Sequence, residues 1–113
     1  MSEHFYPLDG RKYYKDLEKA QKTMFQAFKN FNNEIFEKES ALSRKVKELV
    51  AIGVAPATQC PYCIEGHGRA AKKARASDQE IAKAIFVAAA LRAGGAFAHS
   101  TIAMSVFNEM DKK

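Results

Sequence analysis

The chain has 113 residues, 47% of them hydrophobic, with a formal net charge of +5. That length fits one domain spanning 1–113 around one core, and that composition excludes extended disorder away from the ends. The positive charge raises nucleic acid as a partner. However, Lys and Arg alternate with acids, as in Lys15-Asp16-Leu17-Glu18-Lys19, and the densest basic stretch, Arg69 to Arg75, is short. Solvated helix faces are therefore the expectation, with no nucleic-acid partner.

No apolar run reaches the roughly 18 residues that read as a membrane span. The opening residues Met1 to Pro7 lack a charged-then-apolar signal pattern. The reading is a soluble, cytoplasmic protein with no membrane partner.

Residues 1–10 end in the turn cluster Pro7-Leu8-Asp9-Gly10 and read as an irregular arm, with Asp9 a candidate cap for the first helix. Residues 11–38 read as one long helix. Leu17, Met24, Phe28, Phe31 and Ile35 recur at helical spacing, and Phe25 and Phe36 widen the apolar stripe. The asparagines at 30, 32 and 33 point to a break near 32. So wide a stripe suits packing against another subunit as well as the chain's own core.

Ser43 reads as the N-cap of a helix running to about 57, and the uncharged stretch Leu49 to Ala55 predicts that this helix is centrally buried. A helix over 60–75 comes next, with Pro61 in its first turn, where a missing N–H costs nothing. Its Gly66 and Gly68 predict close approach of a backbone or a substrate. Ser77 with Glu80 forms a capping box for a helix to about Arg92. Gly94-Gly95 reads as its stop, and a last helix over about 96–110 carries Phe97, Ile102, Val106, Phe107 and Met110. No segment alternates with period two, so the fold class is all-α, a bundle of about five helices.

Both cysteines, Cys60 and Cys63, fall in the first turn of the 60–75 helix. Residues at i and i+3 of a helix are within disulfide reach. The loop so closed is too small to constrain the unfolded chain much, so this bridge suits redox chemistry better than stapling. A helix start favours thiolate, the reactive form. His67 lies four residues after Cys63, one turn along the same face. Glu48 lies on the preceding helix, within reach through a short connection. Cysteine pair, imidazole and carboxylate together supply a nucleophile and a path for its proton.

Blander readings stand beside this one. The cysteines can be half of a zinc site completed by His67 and His99, although no second cysteine pair exists, and no bound metal is the expectation. A c-type haem needs His directly after the second cysteine, where Ile64 stands. A thioredoxin fold needs strands. Glu48 can pair with Arg44 at i, i+4. His99 and His4 read as structural or solvated, and Tyr62 as packing.

Taken jointly, Glu48, Cys60, Cys63 and His67, with the runs Leu49 to Ala55 and Cys60-Pro61-Tyr62-Cys63-Ile64-Glu65-Gly66-His67, resemble the motif of the AhpD-like alkylhydroperoxidases of the carboxymuconolactone decarboxylase superfamily. The resemblance runs from about Leu42 through Gly95. It implies an all-helical protein, usually a homo-oligomer, often a trimer or hexamer. It further implies that Cys60 and Cys63 reduce hydroperoxides without a cofactor, that Glu48 and His67 relay protons, and that a dithiol or lipoyl-type protein restores the pair. The best-studied type of member has histidine where this chain has Tyr62, and the chain is a single copy of the helical unit. Alternatives within reach are a decarboxylase-like enzyme and a redox-sensing helical oligomer. Val54, Ile64, Ile81 and Ile85 are the expected apolar walls for an alkyl substrate.

Overall fold

The computed structural model describes residues 9–112. Among these the secondary structure is helical throughout, in a short 3₁₀ turn and five α-helices, as the period analysis predicts. His4 and most of the opening arm lie outside the described residues. The contacts divide the chain into two compact units, Met1–Glu39 and Ser40–Lys113.

In the first unit a 3₁₀ turn, Gly10–Tyr13, leads into α1 (Tyr14–Ala20) and α2 (Lys22–Phe36). The single helix expected over 11–38 is thus interrupted, and at Gln21 rather than near 32. Gln21 takes φ −146° and ψ 71°, an extended conformation that ends α1 and starts α2. The asparagines stay helical. Asp9 gives no side-chain cap and pairs with Lys12 Nζ at 2.8 Å instead. Gln26 hydrogen-bonds Glu18, and Tyr14 meets Phe25 with ring centroids 6.1 Å apart. No residue of α1 or α2 is buried, and Met24, Phe28 and Phe31 are all more than 60% exposed.

In the second unit α3 (Arg44–Ala57) packs against both α4 (Pro61–Lys73) and α5 (Asp78–Asp111). Ile52 of α3 meets Ala71 of α4 and Ala76 of the following turn, flanked by Leu49, Ile81 and Ala84. The small residues set close spacing. At Gly53 an added Cβ would lie 3.2 Å from the Ala84 carbonyl oxygen, so the α3–α5 approach depends on that glycine. At Gly68 it would meet Ile52 Cδ1 at 3.8 Å, an ordinary contact.

The buried helix expected at Leu49 to Ala55 is buried on one face only. Lys47, Glu48, Ile52 and Ala55 are covered, whereas Val50 and Val54, one turn apart, are more than half exposed. They line an open groove of 530 Å³ between α3 and α5, with Val46, Val87, Leu91 and Arg92 among its other walls.

The starts of α3 and α5 are capped as the sequence implies, and Ser43 Oγ accepts from the Val46 N–H at 3.2 Å. Ser77 Oγ accepts from the Glu80 N–H at 3.0 Å, while Glu80 Oε1 accepts from the Ser77 N–H at 2.9 Å. Glu80 Oε2 also accepts from Lys45 Nζ at 2.9 Å, which ties the start of α5 to α3. These interactions, the Ser77 backbone first and Lys45 next, hold the Glu80 carboxyl below its ordinary value, and Lys72 does the same for Asp78.

The Gly94-Gly95 stop is not observed. Residues 78–111 form one 34-residue helix, and no glycine takes positive φ. Ala88, Ala89, Ala90, Ala93, Ala96 and Ala98 surround the pair, and such strong helix formers offset a cost of about 1 kcal/mol per glycine. As one helix, α5 is long and apolar enough to cross a membrane by length and composition, although no such run is evident in the sequence when a stop is placed at the glycines. None of its residues is buried.

Candidate functional site

The four residues singled out by the sequence all lie in the second unit, on α3, α4 and the joint between them. This joint is a problem in backbone pairing, because four carbonyls at a helix C-terminus have no partner within the helix. At the end of α3 the Cys60 N–H donates to Ala55 O at 3.0 Å and the Gln59 N–H to Pro56 O at 3.1 Å. These are the two bonds of a Schellman cap. The Thr58 N–H and hydroxyl both donate to Val54 O, at 2.9 and 3.1 Å. The remaining carbonyl, of Ala57, accepts from Arg92 Nη1 of α5 at 2.6 Å.

The left-handed position of this cap, usually glycine, is Gln59 with φ 59°. α4 ends in the same motif, with Arg75 left-handed at φ 68° and the Ala76 N–H donating to Ala71 O at 3.0 Å.

Cys60 therefore has two structural roles. It completes the cap of α3 and it is the N-cap of α4, where its Sγ accepts from the Cys63 N–H at 3.3 Å. Pro61 follows at the first position of the helix, where its lack of N–H is harmless. Cys60 and Cys63 are joined in a disulfide with Cα atoms 5.3 Å apart. Both are half-buried. Once the bridge is reduced, the helix N-terminus favours negative charge on the Cys60 sulfur.

One turn beyond Cys63, His67 Nδ1 lies 2.6 Å from Glu48 Oε1 of α3. The Glu48 side chain is 7% exposed and that of His67 26%. A carboxylate only accepts, so against ionised Glu48 the Nδ1 atom carries the hydrogen and the neutral ring keeps its lone pair on Nε2. Glu48 thus fixes both the tautomer and the ring orientation. A carboxylate on α3 with its partner on α4 requires the two helices to run close together, and Ile52 against Gly68 and Ala71 holds them so.

The other expected residues fare unevenly. Ile81 is half-buried against the core, but Ile64 and Ile85 are more than 40% exposed and Val54 faces the α3–α5 groove. Of the four, Val54 alone lines that groove. His99 lies on α5 and is exposed. Among the described residues no three His, Cys, Asp or Glu side chains are grouped to hold a metal ion. Arg92 is the residue that sequence reasoning missed. Its only signal is a lone charge inside the apolar stretch 84–108, since the contact spans 35 positions.

Three comparisons bear on this geometry. The model of the Carboxymuconolactone decarboxylase family matches residues 22–105. The chain is 40% identical over 96 residues to "Uncharacterized protein 4 in cox locus" of Paracoccus denitrificans, covering 85% of this chain and 86% of that one. Its fold is similar to the crystal structure of a protein from Methanobacterium thermoautotrophicum, a structural-genomics target. The TM-score is 0.69 and the identity 29%, over 76% of this chain and 96% of the other.

Proposed function

This chain belongs to the carboxymuconolactone decarboxylase family, and from that premise we propose that it is a thiol peroxidase of the AhpD-like type, reducing alkyl hydroperoxides through Cys60 and Cys63. One observation carries the reading. A disulfide at the start of α4 stands one turn from an imidazole that is oriented by a buried carboxylate. A structural bridge needs no proton carrier beside it; a cycling bridge does.

In the proposed cycle His67 Nε2 takes the Cys63 thiol proton and Glu48 stabilises the imidazolium. The Cys63 thiolate attacks the terminal peroxide oxygen, the O–O bond breaks, and the leaving alkoxide takes the proton from Nε2 to depart as alcohol. Cys63 is now a sulfenic acid. The Cys60 thiolate, favoured by its place at the helix N-terminus, attacks that sulfur. The S–S bond forms and hydroxide leaves as water once protonated. An external dithiol, such as a dihydrolipoyl group carried on a protein, returns two electrons and two protons by thiol–disulfide exchange. A reducing cytoplasm suits a pair that must be reopened after each turnover.

We also propose that the working form is a homo-oligomer. The second unit buries only Ile52, Ala55, Ala71 and Ala76 as apolar core among its described residues, while Leu91 and Phe97 of α5 are 72% and 82% exposed. A second copy is favoured over a membrane as the cover for α5. The helix is anchored to α3 through Ala84, and its central Arg92 is bonded to Ala57, contacts that insertion would break.

Separate Cys60→Ser and Cys63→Ser variants, assayed for peroxide-dependent thiol loss, test the enzymatic reading. Both are expected to lose turnover. Glu48→Gln is expected to slow it by about a hundredfold, the low end of what general acid–base catalysis contributes, since Glu48 acts through His67. Peroxide consumption that persists unchanged in both serine variants would remove the peroxidase assignment.

A further inference from the structure

We infer that Arg92 is a positioning residue for the cysteine pair, acting through the turn that precedes Cys60, so that a side chain on α5 sets how readily the disulfide opens. The inference rests on the reading of Cys60 and Cys63 as a pair that cycles, but not on peroxide being the oxidant.

Three observations lead to it. First, the carbonyls of the last turn of α3 are each taken by a donor from the joint itself, except Ala57 O, which Arg92 Nη1 takes from across the α3–α5 groove. Second, that turn is held in a conformation its own residues do not favour. Gln59 sits at φ 59° without being glycine, so the backbone there tends to leave the left-handed region unless its surroundings hold it. Third, the next residue is Cys60, whose N–H completes the cap and whose Sγ is bridged to Cys63. Arg92 thus holds the chain at Ala57, three residues before the bridge along a strained turn, and it does so from a different helix.

The sign of the effect comes from the geometry. Closing the bridge requires Cys60 to stay fixed relative to Cys63, at a Cα separation of 5.3 Å. The open dithiol imposes no such restraint. A clamp on the turn therefore favours the closed disulfide over the dithiol, and removing it shifts the equilibrium toward the dithiol.

The test is equilibration of the full-length protein with reduced and oxidised glutathione under anaerobic conditions, read by alkylation and mass spectrometry. In that reaction two glutathione thiols give up two electrons and two protons. Their sulfurs join, the Cys60–Cys63 bond breaks, and each cysteine sulfur gains one hydrogen. The Arg92→Met variant is expected to favour the dithiol about fivefold more than wild type, the scale of one lost hydrogen bond. That is about 20 mV for a two-electron couple. Arg92→Gln should shift it in the same direction, and Arg92→Lys should recover part of the difference.

A purely structural role would lower thermal stability equally in both redox forms and leave the ratio unmoved. Ratios within twofold of wild type for both Arg92→Met and Arg92→Gln overturn the inference. A wild-type chain that never exchanges with glutathione would overturn the cycling reading as well, so the two failures are told apart. Should Arg92→Met not fold, Arg92→Gln alone decides: a ratio within twofold of wild type overturns the inference.

Discussion

The joint between α3 and α4 and the distal half of α5 are opposites. At the joint each of the last four carbonyls of α3 has a partner, Glu48 is buried against His67, and Cys60 closes one helix while opening the next. Beyond Arg92, α5 carries Phe97, Ile102, Met104, Phe107 and Met110, each more than half exposed. A Cβ added at Gly94 or Gly95 would meet nothing within 4 Å. The contrast separates two kinds of completeness. Glu48 and His67 meet and the two cysteines are bridged within some twenty residues of one chain, whereas the large apolar side chains of distal α5 stay uncovered.

The largest expected effect tests the unfinished half. Phe97→Glu combined with Phe107→Glu should abolish the proposed oligomer and leave monomer in sedimentation experiments, because two buried, unpaired carboxylates are not tolerated in an apolar contact. An unchanged sedimentation coefficient would take this part of α5 out of the interface.

A smaller effect compares two glycines. Gly53→Ala forces a methyl group toward the Ala84 carbonyl, a backbone atom that cannot swing aside. It should destabilise the fold by about 1–2 kcal/mol in urea titrations, the usual cost of overpacking. Gly94→Ala has open space around it and should stabilise the helix by about 0.5–1 kcal/mol. If both changes carried the same sign, the contrast between packed and uncovered segments would fail.

The smallest effect concerns pH. The carboxyls of Glu80 and Asp78 are held below their ordinary values of 4.5 and 3.8. A lowered folded-state value means the unfolded chain binds the proton first as pH falls. The stabilisation is therefore present above the ordinary values and is lost as pH drops through the folded ones. Thermal melts should be flat with respect to these groups near neutrality and fall below about pH 4.5. Lys45→Met should reduce that fall, since it removes one of the interactions that lower Glu80.

What the sequence made legible was local. Ser43, Ser77 with Glu80, and Cys60 with Pro61 announce helix starts because a cap is made by a side chain and a backbone N–H only three residues apart. Glu48, Cys60, Cys63 and His67 were legible because their spacing maps onto two consecutive helices. Where the reading failed, the decisive factor was not local. Gly94 and Gly95 resemble a stop, but a glycine ends a helix only when it turns left-handed, and here neither does. Gln21, which does break the first long helix, carries no breaker chemistry to mark it. Val50 and Val54 look like core residues by their spacing alone, yet in the fold they line the groove between α3 and α5. Arg92 was illegible for the same reason, since its partner lies 35 positions away.

The double duty of Cys60 has a consequence for what changes the chain tolerates. With one residue shared between the cap of α3 and the cap of α4, the connection has no slack. A single residue inserted after Thr58 would break the Schellman cap of α3 and displace the start of α4 relative to its end. His67 would swing away from Glu48, and the Cys60 N–H would no longer reach Ala55. The 19-position interval between Glu48 and His67 thus acts as a ruler whose length is set at this turn. A change of length between the two helices would cost the chain the Glu48–His67 pairing even if every residue of the motif were kept.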